Sequence, residues 1–246
     1  MKVLDNFLDI ELAQELEQHI ISQLDKPVWI HGHSFYSEEF KNYIVKNMSP
    51  YIATLDSELA GKLIRTLLAQ GILTKEPKDV QALIYNAYPL SSVEWHTDKH
   101  GEYEHGGSEC PPECEGCKDV AGISIYLNHG WKPNWGGCFL FKDNKSDTQG
   151  TFYEPIYNRA VINNGRDIHA VGAITNGAHN RYSVQLFVSR SALREDLQLF
   201  LPVNVDITTC FRVSISTVEQ TGRNGIKIIT SKQNQSMQEM CTKLNC

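Results

Sequence analysis

Two textures divide the chain. Residues 8–24 set apolar side chains at helical spacing (Leu8, Leu12, Leu16, Ile20, Leu24), with acidic residues crowding the first turn, where the helix dipole favours them. Tyr51–Gln70 carries a similar periodicity and predicts a second helix. Beyond it the apolar runs shorten and take on strand character. They are Val80–Tyr88, Ser91–Asp98, Val120–Leu127, Gly137–Phe141, Ala160–Ile162, His169–Ile174 and Tyr182–Val188. Turn formers punctuate the gaps, as in Tyr88-Pro89, Asn134–Gly137, Asn163-Asn164-Gly165 and Asn176-Gly177. Helices first, then many short strands, predict an α+β, mainly β fold closed as an antiparallel barrel or sandwich.

Residues 99–118 interrupt this pattern with an acidic, Gly/Pro/Cys-rich insert. We therefore expect one domain over 1–190, helical over 1–75 and strand-rich over 80–190, with the insert inside the strand-rich part. A C-terminal extension, 191–246, follows. It predicts a hairpin with arms Arg212–Val218 and Ile226–Thr230 around Thr221–Gly225, then a polar tail after Ser231.

Composition narrows the function classes. With 246 residues, 41% hydrophobic and 21% charged, the chain can bury an ordinary core. The net charge of -6 and the lack of a Lys/Arg block argue against a nucleic-acid partner. Asp5, Asp9 and Glu11 break what would be the apolar part of a secretion signal, and no apolar run is long enough to span a bilayer. A cytoplasmic protein without a membrane partner is expected. Three of the seven cysteines, Cys110, Cys114 and Cys117, cluster in the insert, which in a reducing compartment favours metal binding over disulfides.

The chemistry concentrates in His96-Thr97-Asp98 at the end of a predicted strand. Residues two apart on a strand face the same way, so this pair can approach one ion together. A distant histidine would complete a 2-His-1-carboxylate triad, which leaves three positions of an octahedral iron(II) open. His169 is the best third ligand. Further on, Arg181 and Ser183 share one strand face, and a guanidinium with a hydroxyl suits a buried carboxylate. Each residue alone is unremarkable. Their order in a β-rich chain is what points to a site.

Taken together, Ala82–Arg190 resembles the prolyl-hydroxylase type of Fe(II)/2-oxoglutarate oxygenase. The matching blocks are Tyr88-Pro89, His96-Thr97-Asp98, Ile125–Asn128 with Trp131, Trp135-Gly136-Gly137, His169-Ala170-Val171 and Arg181-Tyr182-Ser183. The resemblance implies a double-stranded β-helix core supported by N-terminal helices. It implies iron on His96, Asp98 and His169, and 2-oxoglutarate held through its distal carboxylate by Arg181 with Ser183 and Tyr126. Tyr88 is implied as a pocket wall. O2 is the oxidant and ascorbate an auxiliary reductant, and the reaction yields succinate, carbon dioxide and a hydroxylated C–H. His169 and Arg181 lie further apart than is usual in the family, so Thr175–Asn180 is read as an enlarged turn.

Several readings stay open. The substrate is a prolyl residue of a peptide or protein, a free amino acid, or another small metabolite. Alternatives are a nucleobase demethylase, or a metal-containing β-helix that binds without catalysis. Cys110, Cys114 and Cys117 could hold a structural zinc with His100, His105 or Cys138, or form a loop of free thiols or a disulfide. Gly136-Gly137 permits either close backbone approach beside the metal or a bulge. Trp95, alternating away from His96, is expected in packing.

Overall fold

The N-terminal helix forms where its spacing predicts it. α1 (Ile10–Gln23) buries Leu12, Ala13, Leu16 and Ile20 and turns its other face to solvent. α2 (Ser57–Ala69) buries Leu59, Leu63, Ile64 and Leu67, and Asp56 caps it by accepting from the Glu58 and Leu59 amides. In this computed structural model the described residues are 1–31, 48–77, 80–98, 120–142, 148–165 and 167–198, with the backbone of 218–221 and 225–228.

The strands, in chain order, are β1 (Lys2–Leu4), β2 (Ile30–His31), β3 (Tyr51–Thr54), β4 (Gln81–Ala87), β5 (Val93–His96), β6 (Val120–Tyr126), β7 (Phe139–Lys142), β8 (Thr151–Tyr153), β9 (Ala160–Asn164), β10 (Ile168–Val171) and β11 (Arg181–Ser189). Seven build a major sheet in the order β1-β9-β6-β11-β4-β3-β2, and four build a minor sheet in the order β5-β10-β7-β8. Their pairings are antiparallel. This is the expected mainly β class, realised as a double-stranded β-helix.

One helix prediction was too long. Tyr51–Thr54 is not helical but forms β3, with Ile52 opposite Tyr85 of β4. The ladder available from β4 outweighs a local periodicity that is only a weak prior, and the Asp56 cap delays the helix until Ser57. Likewise β1 and β2 lie within the stretch expected to be helical, and β1 gains its partner from β9, far along the chain. β8 also had no counterpart among the predicted strands.

Strand alternation gives the major sheet two unlike faces. Ile84, Ile123, Ile125, Ile162, Val184, Leu186 and Val188 join the buried residues of α1 and α2 in the main core. The intervening positions point the other way, towards the minor sheet, where only Tyr126, Phe139 and Val161 make a small second cluster. The helices thus complete one hydrophobic face and leave the other for polar side chains.

The chain divides into two compact units, Met1–Phe200 and Leu201–Cys246. In the second, β12 (Val218–Thr221) pairs with β13 (Gly225–Ile228). Within the predicted hairpin region the described ladder runs from Val218 opposite Ile228 to Thr221 opposite Gly225. Residues 212–217 and the tail after 231 lie outside the described residues, as does the 99–118 insert.

Leu63 is fully buried between helix and sheet whereas Ile21 is exposed. Leu63→Ala is therefore expected to lower unfolding free energy by about 2–5 kcal/mol. Ile21→Ala should stay within about 0.5 kcal/mol of the parent. Urea denaturation of both variants checks the pair.

Candidate metal centre and its pocket

β5 and β10 are adjacent, with His169 directly opposite His96 in their register. The ladder sets the two imidazoles side by side, ring centroids 4.2 Å apart. Asp98, two residues past His96, brings its carboxylate between them. Its Oδ1 is 3.5 Å from His96 Nε2 and its Oδ2 is 3.4 Å from His169 Nε2. The donor atoms of His96, Asp98 and His169 lie within 4.8 Å of one another and could hold a metal ion.

The ring orientations are fixed from behind. His96 Nδ1 lies 2.7 Å from the Glu94 carbonyl and His169 Nδ1 lies 2.8 Å from the Asp167 carbonyl. A carbonyl only accepts, so each Nδ1 carries the proton and donates. In the neutral ring each Nε2 then turns a lone pair towards Asp98. His169 also stacks on Phe139, centroids 5.1 Å apart and planes 6° from parallel. Burial works against ionising Asp98, but His169 and His96 hold its carboxyl well below the ordinary carboxylate range. Burial likewise disfavours charge on His169, yet Asp98 outweighs it and raises the imidazole above its usual value.

Two lone pairs and one ionised carboxylate oxygen are the donor set of a 2-His-1-carboxylate iron site. The fit is chemical as well as spatial, since the groups are already oriented as ligands.

On the inner face of the major sheet lies a second polar group. Ser183 of β11 stands opposite Tyr126 on one side and Tyr85 on the other. Two residues along, Arg181 is buried, its guanidinium 5.4 Å from the Tyr126 ring centroid. Nη1 of Arg181 donates to the Gly137 carbonyl. Its Nε is buried with no partner among the described residues. An orphaned cationic donor in such a place fits an incoming carboxylate. Burial lowers the Arg181 pKa from its ordinary value, and burial pushes the Tyr126 phenol up to about 12, so that it keeps its proton.

Gly136 and Gly137 both adopt positive φ, 70° and 69°. A Cβ on Gly136 would fall 2.3 Å from the Ala173 carbonyl oxygen, and one on Gly137 would press on Ile174 and Arg181. Close approach to the Ala173 backbone and to the Ile174 and Arg181 side chains is thus the reason for the pair. The step from β10 to β11 passes through a turn over Thr175–Ala178, as expected from the long spacing.

The remaining predicted residues fall unevenly. Tyr88 lies past the end of β4, its hydroxyl 3.3 Å from His31 Nε2 and its ring 5.6 Å from that of Tyr51. Besides Tyr126, Ser183 has Tyr85 opposite it on β4, a residue that no sequence motif marks. Counting back in twos along β4 from Ala87, the partner of Arg181, would have found it. Asn163, which donates to Asp98 Oδ2 at 2.9 Å, was also missed. Trp95 does face away from His96, but it is 42% exposed with Lys142 Nζ 4.6 Å from its ring centre, so it is not a packing residue. Cys110, Cys114 and Cys117 lie outside the described residues, with His100 and His105. Cys138 is half-buried beside Arg181 and Glu154.

Residues 81–189 match the family model of the 2OG-Fe(II) oxygenase superfamily. No curated protein matches the chain in sequence. Among solved structures it is similar to a Pseudomonas putida prolyl-4-hydroxylase, at 16% identity and TM-score 0.53, covering 76% of this chain and 91% of that one. It is equally similar to a Trichoplax adhaerens prolyl hydroxylase in complex with a hypoxia inducible factor peptide fragment, again at 16% identity and TM-score 0.53, covering 76% of this chain and 82% of that one. At such identity these likenesses establish the fold. Among the described residues, no helix is long and apolar enough to cross a membrane.

Because Gly136 meets a fixed carbonyl and Gly177 faces open space, Gly136→Ala is expected to cost about 1–3 kcal/mol. Gly177→Ala should be close to neutral. Thermal melting of the two variants distinguishes them.

Proposed function

We propose that this chain, whose residues 81–189 match the family model of the 2OG-Fe(II) oxygenase superfamily, is an oxygenase that hydroxylates an unactivated C–H bond, most favourably of a prolyl residue in a peptide. The observation that carries the oxygenase reading is the convergence of His96, Asp98 and His169 on one point, with a buried, partly unpaired Arg181 nearby. Those three side chains would hold Fe(II). Arg181, with Ser183 and Tyr126, would hold the distal carboxylate of 2-oxoglutarate. The bound iron and keto acid together supply the oxidising power, consuming O2 and releasing succinate and carbon dioxide while one oxygen atom enters the substrate.

The protein's own share is binding, orientation and exclusion of water. The Glu94 and Asp167 carbonyls keep both Nδ1 protonated, so Nε2 is always the ligating atom. Phe139 walls one face of His169. Tyr126 keeps its proton at any physiological pH and can donate but not compete for cation. Arg181 stays cationic even when its pKa is lowered, because burial starts from a very high value. A carboxylate in the triad, in place of a small residue that would admit a halide, supports hydroxylation.

A peptide substrate is supported by the fold shared with the prolyl hydroxylase that binds a peptide fragment. Free amino acids and small metabolites are the competing substrates, since the residues that grip a substrate lie on loops that vary between relatives.

Asp98→Ala and His169→Ala are each expected to abolish substrate-coupled succinate formation. Full activity in either would remove the ligand assignment. Arg181→Met should raise KM for 2-oxoglutarate roughly 10- to 100-fold, the value of a charge-assisted hydrogen bond. Mass spectrometry of prolyl peptides and free amino acids, scored by gain of one oxygen atom, tests the substrate class. Turnover of free amino acids alone would sink the peptide reading.

A further inference from the structure

Asn163 lies on the inner face of β9 and is wholly buried. Its Nδ2 donates to Asp98 Oδ2 at 2.9 Å and more weakly to the Asn164 carbonyl at 3.3 Å. Its Oδ1 is buried with no donor among the described residues. A core amide with an unsatisfied oxygen weakens a fold, so stability alone does not explain an asparagine here. Across the β6–β9 ladder the facing residue is Gly122. A Cβ there would come 2.6 Å from Asn163 Oδ1 and 3.2 Å from Asp98 Oδ2. The glycine keeps open the space that the amide and carboxylate share.

We propose that Asn163 is a positioning residue: its amide, given room by Gly122, holds Asp98 Oδ2 so that Oδ1 is the oxygen presented to the metal. The inference rests on the triad reading above and adds to it a third strand, β9. With Oδ2 engaged by the amide, the carboxylate binds through a single oxygen, and the positions needed by keto acid and oxygen stay open. Without the amide the carboxylate can rotate, or chelate through both oxygens and occupy one of them. His169 Nε2 also lies 3.4 Å from Oδ2, but the amide that donates to this oxygen is that of Asn163, at 2.9 Å.

The test measures binding of Co(II), used as an air-stable stand-in for Fe(II), by equilibrium dialysis and by the melting-temperature rise it induces. Asn163→Leu, similar in volume but without a donor, is expected to weaken Co(II) binding roughly 10- to 100-fold, the usual effect of removing a partner that orients a ligand. Its Co(II)-induced rise in Tm should shrink accordingly. Asn163→Ala, which removes the amide without adding bulk beside Asp98, should weaken binding in the same direction. It supplies an independent reading if the leucine variant does not fold. A purely structural asparagine would lower the Tm of the metal-free protein and leave Co(II) affinity within twofold of the parent, which would overturn the proposal. If the parent itself bound no Co(II), or bound it equally well as His169→Ala, the failure would belong to the triad reading and would take this inference with it.

Discussion

The site is organised by the cost of placing a carboxylate out of water. An ionised carboxyl group survives burial only when donors or cations surround it. Asp98 is faced by side chains from three strands: the Asn163 amide on β9 donates to it, while His96 at the end of β5 and His169 on β10 turn their Nε2 atoms to it. Two of these strands belong to the minor sheet and one to the major, so the carboxylate is the point at which the two sheets are joined by polar contacts. A cation is the natural completion of that arrangement, since it replaces repulsion and partial hydrogen bonds with full charge neutralisation.

The rest of the fold serves to make such a point affordable. The helices and the outer face of the major sheet form one continuous hydrocarbon core, while among the described residues the second cluster has a buried centre of Tyr126, Phe139 and Val161 with a few partly buried residues packed on it. Stability is therefore supplied on one face and chemistry on the other. Arg181 and Ser183 share β11 with Val184, Leu186 and Val188, and the same strand serves both purposes by alternation. The arginine, two residues along from a row of Tyr85, Ser183 and Tyr126, is desolvated without being neutralised, so it attracts an anion of matching shape.

The sequence made part of this visible, and the reason is local spacing. His96 and Asp98 are two apart, Arg181 and Ser183 are two apart, and each pair signals a shared strand face. α1 is legible because its apolar stripe is regular over four turns. The pieces that escaped depend on pairing at long range. β3 looks helical until β4 offers it a ladder. Tyr85 gains meaning only once Ser183 is known to lie opposite, and Tyr88, nearer to a familiar Tyr-Pro block, drew attention instead. Asn163 sits in an Asn-Asn-Gly run that resembles a turn signal, yet it lies within β9 and faces the carboxylate. Gly122, in the middle of a strand, carries no motif at all, and its purpose appears only through the space it leaves.

Alternation along β11 has a consequence for how this chain can change length. Deleting or inserting one residue between Arg181 and Val188 would exchange the two faces over the affected stretch, sending arginine or serine into oil and valine or leucine into the pocket. The neighbouring ladders to β4 and β6 would be thrown out of step together. Length variation is tolerable instead in the connections, such as the turn over Thr175–Ala178, where additional residues move no face. Gene copies of this protein should accordingly accumulate indels between strands and almost none within them.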